Sequence, residues 1–195
     1  MTRSGSFRPF NMIDIRIILM NIKIRPFKNN DSEAFFSSVT ESVEHLGTWL
    51  PWCHKDYSLD EAQMWVQYSI QQWQSGAEYN FAIEDLDSQK ILGSVAINQM
   101  VPIHRCGNLG YWVTKSALGQ GVCVAAIKQL LQYAFTDLGL QRIEIHVLEE
   151  NYASNRVAEK LNATFEGIQR NKLFFKGKPY SAKCYSLIPA DIDIE

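Results

Sequence analysis

The segment 109–124 constrains the fold of this chain most, because a strand, a glycine turn and a helix start follow one another there. Tyr111-Trp112-Val113 are bulky residues that suit a pleated, half-buried strand. Gly119-Gln120-Gly121 then allows the backbone to approach a ligand closely, and apolar residues run on from Val122 to Phe135 as in a helix. The first N–H groups of a helix lack internal partners and lie at the positive end of its dipole. This segment therefore predicts a site for a phosphate-bearing cofactor.

Two nucleotide-binding motifs can be tested against these glycines, and neither fits. A Walker A loop requires Gly-Lys-Ser/Thr, but Val122 and Cys123 follow Gly121. The dinucleotide fingerprint requires a third glycine, and Val124 stands at that position. Two glycines before a helix are also typical of a simple tight turn, so their spacing alone does not identify the cofactor.

The pattern becomes specific when three segments are taken together. They are Gly110-Tyr111-Trp112-Val113, Gly119-Gln120-Gly121 and the segment 151–158, Asn-Tyr-Ala-Ser-Asn-Arg-Val-Ala. This combination resembles the GCN5-related N-acetyltransferase (GNAT) superfamily, and within it the Rim-type acetyltransferases, which acetylate the N-termini of ribosomal proteins. Further matches lie at 49–52, 92–98 and 165–167, so the resemblance extends over roughly residues 22–188.

The order of predicted elements indicates a mixed α+β fold. The 195 residues favour a single domain over residues 1–195, with residues 1–12 predicted to be loose. Strands are predicted at 13–18, 22–27, 79–84, 91–100, 106–113, 141–147, 164–175 and 180–188. Helices are predicted from Asn30 or Asp31, from Ser58 to Ser75, from Val122 to Leu138, and from Asn151 or Ser154 to Leu161. This mixture predicts a largely antiparallel sheet flanked by helices, and the resemblance implies the GNAT fold, with a splayed strand pair that holds acetyl-CoA.

Composition and charge narrow the range of partners. A net charge of −2 gives no electrostatic reason to expect nucleic-acid or membrane binding. The apolar run 13–19 is too short for a membrane span and lacks a secretory cleavage pattern. The four cysteines form no Cys-x-x-Cys motif, which predicts reduced thiols in a cytoplasmic protein and no metal centre. They are Cys53, Cys106, Cys123 and Cys184.

The resemblance implies that acetyl-CoA lies between the strand before the glycine turn and the strand after the long helix. The acetyl and pantetheine parts would pair with the backbone of Leu109, Gly110, Tyr111, Trp112 and Val113. The pyrophosphate would be held by the N–H groups of Leu118, Gly119, Gln120, Gly121, Val122 and Cys123. The family pattern is Gln/Arg-x-x-Gly-x-Gly/Ala, from which this chain departs at Leu118 and Cys123. Because backbone groups form the cradle, the loss of one polar side chain is expected to lower affinity without abolishing binding.

Three polar residues of the later helix are also implicated by the resemblance. Ser154 is implied to donate a hydrogen bond or a proton to the leaving thiolate of CoA. Asn151 and Asn155 are implied to form hydrogen bonds on the cofactor side. The alternative for all three is local, because serine and asparagine at a helix start are often capping or first-turn residues.

The general base is the point at which this chain departs most from the Rim-type pattern. The two acidic positions of that group correspond here to Leu173 and Ala182, which cannot accept a proton. The alternatives left open are a different side chain, a water molecule, or loss of the proton to solvent, since an α-amine has a pKa of ~7.7–8.0. The candidate substitutes are His54, His104, Glu144 and His146, although each is also typical of a surface or packing residue.

The acceptor groove is predicted to lie between an aromatic loop and the end of the sheet. Trp49 and Trp52 are expected on one side, with Asn98, Tyr79, Phe174 and Phe175 on the other. Trp65 and Trp73 have helical spacing and are expected in the core. The resemblance implies direct transfer of an acetyl group to an amine in a ternary complex, with the α-amine of a ribosomal or other protein as the preferred acceptor. A small amine such as a polyamine or antibiotic, and a non-catalytic acyl-CoA-binding module, are the alternatives. A monomer and a homodimer are both compatible with the sequence.

Overall fold

The computed structural model of the protein describes residues 21–192. Within them, the chain forms seven strands and five α-helices. The strands are β1 Ile22–Pro26, β2 Tyr79–Asp85, β3 Ile91–Val101, β4 Cys106–Val113, β5 Arg142–Leu148, β6 Thr164–Phe175 and β7 Lys178–Leu187. The helices are α1 Ser32–Thr40, α2 Val43–Leu46, α3 Leu59–Ser75, α4 Val122–Thr136 and α5 Tyr152–Lys160. The predicted loose segment 1–12 and the predicted strand 13–18 lie outside the described residues.

All seven strands form one sheet in the order β1-β2-β3-β4-β5-β7-β6. Every neighbouring pair is antiparallel except β4 and β5, which are parallel and are joined by the crossover through α4. The predicted α+β class with a largely antiparallel sheet is therefore confirmed. The parallel pair is short: it begins at Cys106↔Arg142 and ends at Asn108↔Glu144, although both strands continue beyond that point.

The sheet has a hydrophobic core on each face, because successive side chains of a strand point to opposite sides. On one face, Leu109 and Val113 of β4 pack with the buried face of α4. On the other face, Trp112 packs with Phe35 of α1 and Val66 of α3. Strand β4 is thus anchored from both sides, which fixes the position of its backbone.

Local capping signals predicted the start of α3 correctly. The Ser58 hydroxyl accepts a hydrogen bond from the Glu61 N–H over 3.3 Å, and the Glu61 carboxylate accepts one from the Ser58 N–H over 2.8 Å. This reciprocal pair is the predicted capping box. The helix ends at Ser75, also as predicted, and Gly76 follows it with a φ of 71°.

Two predicted boundaries and one predicted helix cap need correction. Helix α1 begins at Ser32 without a side-chain cap, because the Asp31 carboxylate accepts hydrogen bonds from Arg25 instead, over 2.6 and 2.9 Å. Helix α4 ends at Thr136 and not at Leu138. Strand β7 begins at Lys178, so the hairpin turn is shorter than predicted.

Among residues 21–192, no helix is long and apolar enough to cross a membrane.

Candidate active site

The wedge between β4 and β5 is the most distinctive feature of the sheet. From Leu109 onwards, β4 pairs only with β3, through Ile97↔Leu109 and Ala96↔Gly110. The edge of β4 that faces β5 therefore presents backbone N–H and C=O groups without a strand partner. Such an edge can pair with an extended ligand that carries amide groups, as a further strand would.

The glycine turn follows β4 and leads directly into α4. Gly119 and Gly121 have φ values of 72° and 84°, a conformation that side chains with a Cβ rarely adopt. A Cβ placed on Gly119 would meet no atom within 4 Å, so the space beside the turn is open. Helix α4 begins directly after Gly121, and its first N–H groups have no partner within the helix. The turn and the helix start can together bind an anion.

Two residues of the predicted cradle are partly engaged elsewhere. The Leu118 N–H donates to the Lys115 carbonyl over 3.3 Å, so it is not free for a phosphate. The Gln120 side chain donates to the Ser116 carbonyl, which leaves only the Gln120 backbone for the cradle. Burial raises the pKa of Cys123 to about 12. Its thiol is therefore neutral and fits the interpretation of a small packing residue.

Tyr111 connects the two sides of the wedge. Its hydroxyl, from β4, donates to the Ser154 carbonyl at the start of α5 over 3.2 Å. Burial raises the pKa of Tyr111, so the phenol remains protonated and can donate. Ser154 is half-buried, and no partner for its hydroxyl is found within residues 21–192. That hydroxyl remains available to a ligand beside β4.

The two asparagines of the α5 region are engaged within the fold. The Asn151 side chain accepts from the Ser154 N–H over 3.1 Å and caps α5, as the local alternative predicted. The Asn155 amide is buried and donates to the carbonyls of Leu148, Glu149 and Asn151, while its oxygen accepts from the Tyr185 hydroxyl over 3.0 Å. The Asn155 amide is thus fully engaged within the fold, whereas Asn151 uses only its side-chain oxygen for the cap.

A row of polar side chains crosses the sheet at the base of the wedge, on the face of Trp112. Asn108 donates to Asn98 over 2.9 Å, and the Nδ1 atom of His146 lies 3.0 Å from the Asn108 oxygen. The Nε2 atom of His146 lies 3.3 Å from a Glu144 oxygen. Arg142 completes the row by donating to Glu144 over 2.9 Å. Sequence analysis did not identify Asn108 or Arg142, although Arg142, Glu144 and His146 alternate with the buried residues of β5.

The charges in this row are set by burial and by ion pairs. Burial lowers the pKa of His146, and the nearby Lys172 lowers it further. Arg142 also donates to Glu166 over 2.7 Å, and its hydrogen bonds lower the pKa of Glu166 to about 2. The imidazole is therefore held neutral, and the carboxylate of Glu166 is held ionised.

One group of donor atoms in this row has the spacing of a metal site. Ligand atoms of Glu144, His146 and Cys184 lie within 4.8 Å of one another. However, Arg142 is hydrogen-bonded to Glu144, and Lys172 is close enough to lower the pKa of His146. Two cationic side chains at this distance disfavour a divalent cation.

The predicted acceptor aromatics divide into surface and core residues. Trp52 is 38% exposed, stacks on Trp65 at 6.3 Å, and contacts Trp112 of β4 edge-on at 6.0 Å. It is thus the exposed end of an aromatic stack that reaches β4, whereas Trp65 belongs to the core side of that stack. Trp73 packs against Phe81 at 4.8 Å, which confirms its predicted core position.

The remaining acceptor residues are less uniformly placed. Tyr79 packs against Trp73 and Tyr133 on the face of the sheet covered by α4, and not on the face of Asn98 where the groove was predicted. Trp49 is half-buried, and Phe174 is 77% exposed near the tip of the β6–β7 hairpin.

Helix α2 contributes a contact that the sequence did not indicate: His45 donates to the Val113 carbonyl over 3.2 Å. The helices beside Trp52 are thereby fixed to the end of β4.

Comparison with known proteins identifies the same architecture. The family model described as "Acetyltransferase (GNAT) domain" matches residues 21–164. The ribosomal-protein-serine acetyltransferase of Escherichia coli (strain K12) is 22% identical over 86% of this chain and 93% of its own length. The spermidine N(1)-acetyltransferase of Vibrio cholerae is 27% identical over 68% of this chain and 75% of its own length.

A solved structure shows the similarity of the fold. RimL, a ribosomal L7/L12 α-N-protein acetyltransferase in complex with coenzyme A, superimposes with a TM-score of 0.79. The match covers 90% of this chain and 96% of that chain, at 24% sequence identity. At this identity, the likeness establishes the fold.

We predict that Asn155 stabilises the fold and does not bind the cofactor directly. Asn155→Leu keeps the side-chain volume but leaves three carbonyls and the Tyr185 hydroxyl without their partner. The free energy of unfolding, measured by urea denaturation, should fall by about 3 kcal/mol. The neighbouring exposed Arg156→Leu is the control and should change it by less than about 0.5 kcal/mol. An Asn155→Leu protein of unchanged stability and weakened coenzyme A binding would instead make Asn155 a cofactor ligand.

Proposed function

The chain belongs to the GNAT acetyltransferase family, and we propose that it transfers the acetyl group of acetyl-CoA to the α-amine at a protein N-terminus. The family membership makes it an acetyl-CoA-dependent N-acetyltransferase; the acceptor and the roles of individual residues are our proposal. The observation that carries the proposal is the early end of the β4–β5 pairing at Asn108↔Glu144. It leaves a backbone edge that leads directly to the anion-binding glycine turn.

The cofactor is proposed to lie along β4, from the wedge to the start of α4. The backbone of Leu109, Gly110, Tyr111, Trp112 and Val113 pairs with the acetyl and pantetheine groups. The N–H groups of residues 119–123 hold the pyrophosphate, where the open space at Gly119 admits the phosphates. When bound, acetyl-CoA supplies an activated thioester that an amine can attack.

The proposed chemistry needs two further groups from the protein. A backbone N–H of the unpaired β4 edge donates to the oxyanion that develops on the acetyl carbonyl. The Ser154 hydroxyl donates to the departing sulfur. Cys123 is neutral and lies beside the phosphate turn, so it does not accept the acetyl group. Transfer is therefore direct, in a ternary complex.

The acceptor is proposed to approach from the face that carries Trp52 and Asn98, with Trp49 and Phe174 at the margins. An N-terminal α-amine suits this site because its pKa of ~7.7–8.0 is well below that of a lysine side chain. The names of the ribosomal-protein-serine acetyltransferase and of RimL favour the same acceptor class. We propose a cytoplasmic, single-domain enzyme, monomeric or homodimeric, that recognises its target locally and not through nucleic acid or a membrane.

A polyamine acceptor is the second candidate, favoured by the similarity to the spermidine N(1)-acetyltransferase. A polycationic substrate requires free carboxylates near the site. On the relevant face, however, Glu144 and Glu166 are both paired with Arg142. Two carboxylates that share one guanidinium are not the cluster of free carboxylates that a polycation needs, which favours a peptide acceptor.

We expect CoA thiol release from acetyl-CoA when the protein is given peptides that start with Ser or Ala. The same peptides with a blocked N-terminus are the control, and they should give no release because the α-amine is missing. Spermidine and small antibiotic amines are tested alongside. Release with small amines alone would disprove the proposed acceptor class, and binding without release to any amine would support a binding module.

The glycine cradle predicts a loss of affinity that depends on the pyrophosphate. Gly121→Val should weaken acetyl-CoA binding at least about tenfold, but should leave the binding of acetyl-pantetheine, which lacks the pyrophosphate, nearly unchanged. Gly139→Val is the matched control, because Gly139 follows the other end of α4 with a φ of 63° and nothing within 4 Å of an added Cβ. Equal losses for both ligands, or equal effects of both variants, would argue against the cradle. Calorimetric titration measures each affinity.

Ser154 is predicted to affect the transfer rate more than cofactor binding. Ser154→Ala removes the donor to the departing sulfur and should lower kcat by about 10²-fold, with little change in the Kd of acetyl-CoA. Ser154→Thr retains a hydroxyl and should retain most of the rate. If Ser154→Ala lowered kcat and affinity in parallel, Ser154 would have only a structural role at the start of α5.

A further inference from the structure

We propose that Glu144 and His146 together take the proton of the acceptor amine, in place of the carboxylates that Leu173 and Ala182 lack. Glu144 is the catalytic residue that contacts the amine, and His146 acts through it as the buried nitrogen that receives the proton. This inference rests on the acetyl transfer to an amine described above, but not on the identity of the acceptor.

The two side chains lie where the reacting groups must meet. Glu144 belongs to the last pair of the β4–β5 ladder, so it stands at the point where the wedge opens. It lies on the face of the sheet that carries Asn98 and Trp112, from which the acceptor approaches. Its side chain is 27% exposed, whereas that of His146 is 5% exposed. Of the two, Glu144 is therefore the one that an incoming amine can reach.

Asn108 determines which nitrogen of His146 carries the proton. The Asn108 Nδ2 atom donates to Asn98 over 2.9 Å, so the Asn108 oxygen is the atom that faces Nδ1 of His146 at 3.0 Å. A carboxamide oxygen only accepts hydrogen bonds, and Nδ1 must therefore be the donor. In the neutral imidazole, the lone pair then lies on Nε2.

The environment of Nε2 favours the arrival of a proton. This atom is buried and has no hydrogen-bond partner within residues 21–192, although a Glu144 oxygen lies 3.3 Å away. In the neutral state, Nε2 and the Glu144 oxygen are both acceptors, so they form no hydrogen bond with each other. Once a proton lies between them, the pair becomes a charge-assisted hydrogen bond.

The charged groups around His146 keep the ring neutral until that proton arrives. Burial, Lys172 and Arg142 lower the pKa of His146, whereas Glu144 raises it. Cys184, the cross-strand neighbour on β7, is neutral because burial raises its pKa. The lone pair of Nε2 is therefore present at neutral pH, and is lost only as the pH falls through a pKa below the usual 6.5.

The proton transfer has two balanced steps. An N–H bond of the acceptor ammonium breaks while an O–H bond forms on Glu144, which leaves the amine with a free electron pair. The proton then passes to Nε2 of His146, so Glu144 is ionised again and faces an imidazolium. Solvent removes this proton after product leaves, which restores the neutral ring.

The first test needs neither substrate nor turnover. Long-range ¹H–¹⁵N NMR of the full-length protein should show His146 protonated on Nδ1 at neutral pH, with a pKa below 6.5. Asn108→Asp places a carboxylate beside Nδ1 and should raise that pKa by about one unit or more. Asn162→Asp, an exposed asparagine after α5, is the matched control and should leave it unchanged. A proton on Nε2, or a pKa that Asn108→Asp does not move, would overturn the proposal.

The second test follows the single-turnover rate with pH, using whichever amine the protein acetylates. The wild-type rate should fall at low pH, and the midpoint of this fall should match the pKa that NMR gives for His146. In Asn108→Asp, this acidic limb of the pH–rate profile should move to higher pH. His146→Asn keeps an amide near Asn108 but removes Nε2, so the limb should vanish and the rate should drop about 10²-fold. Glu144→Gln should lower the rate similarly. Wild-type and His146→Asn proteins with superimposable pH profiles would contradict the inference, even if the proposed N-terminal acceptor were correct.

Discussion

The structure depends on the incomplete pairing of two parallel strands, β4 and β5. Strands β4 and β5 are parallel neighbours for three residue pairs and then no longer pair, although each keeps its partner on the other side. A backbone edge without hydrogen bonds is unfavourable unless water or a ligand satisfies it. The two cores hold β4 from both faces, and Tyr111 of β4 is hydrogen-bonded to the Ser154 carbonyl at the start of α5. The proposed cofactor carries amide groups that can supply the missing hydrogen bonds, so its binding would stabilise the wedge.

Successive side chains of β4 point to opposite faces of the sheet and contact different parts of the protein. Leu109 and Val113 point into the core with α4, and the backbone between them has no strand partner on the side of β5. Trp112 points to the opposite face, where its contact with Trp52 connects the strand to the acceptor loop. His45 fixes the Val113 carbonyl from the same side. In the proposed function, this one strand would contact the cofactor through its main chain and support the acceptor face through its side chains.

Local features of this fold could be predicted from the sequence, and long-range features could not. The strand–turn–helix at 109–124 and the Ser58–Glu61 capping box depend on neighbours within a few residues. The burial of the Asn155 amide depends on a hydroxyl 30 positions away. The sequence predicts Asp31 as a helix cap, but in the structure its carboxylate is bound by Arg25 of β1. It predicts Tyr79 as a groove residue, but Tyr79 packs against Trp73 and Tyr133. In each of these cases, a partner distant in sequence or in another element decided the role.

The register between β5 and β7 determines which side chains lie near Ala182, one of the two positions that lack the expected acidic residue. Ala182 pairs with Leu148, and Cys184, two residues further along β7, pairs with His146. Side chains at His146 and Cys184 thus meet across adjacent strands of one face, at the distances typical of cross-strand neighbours. A group that accepts a proton at the wedge can therefore project from β5 as well as from the β6–β7 hairpin. The sheet geometry specifies a place for this chemistry, and more than one strand can supply the residue.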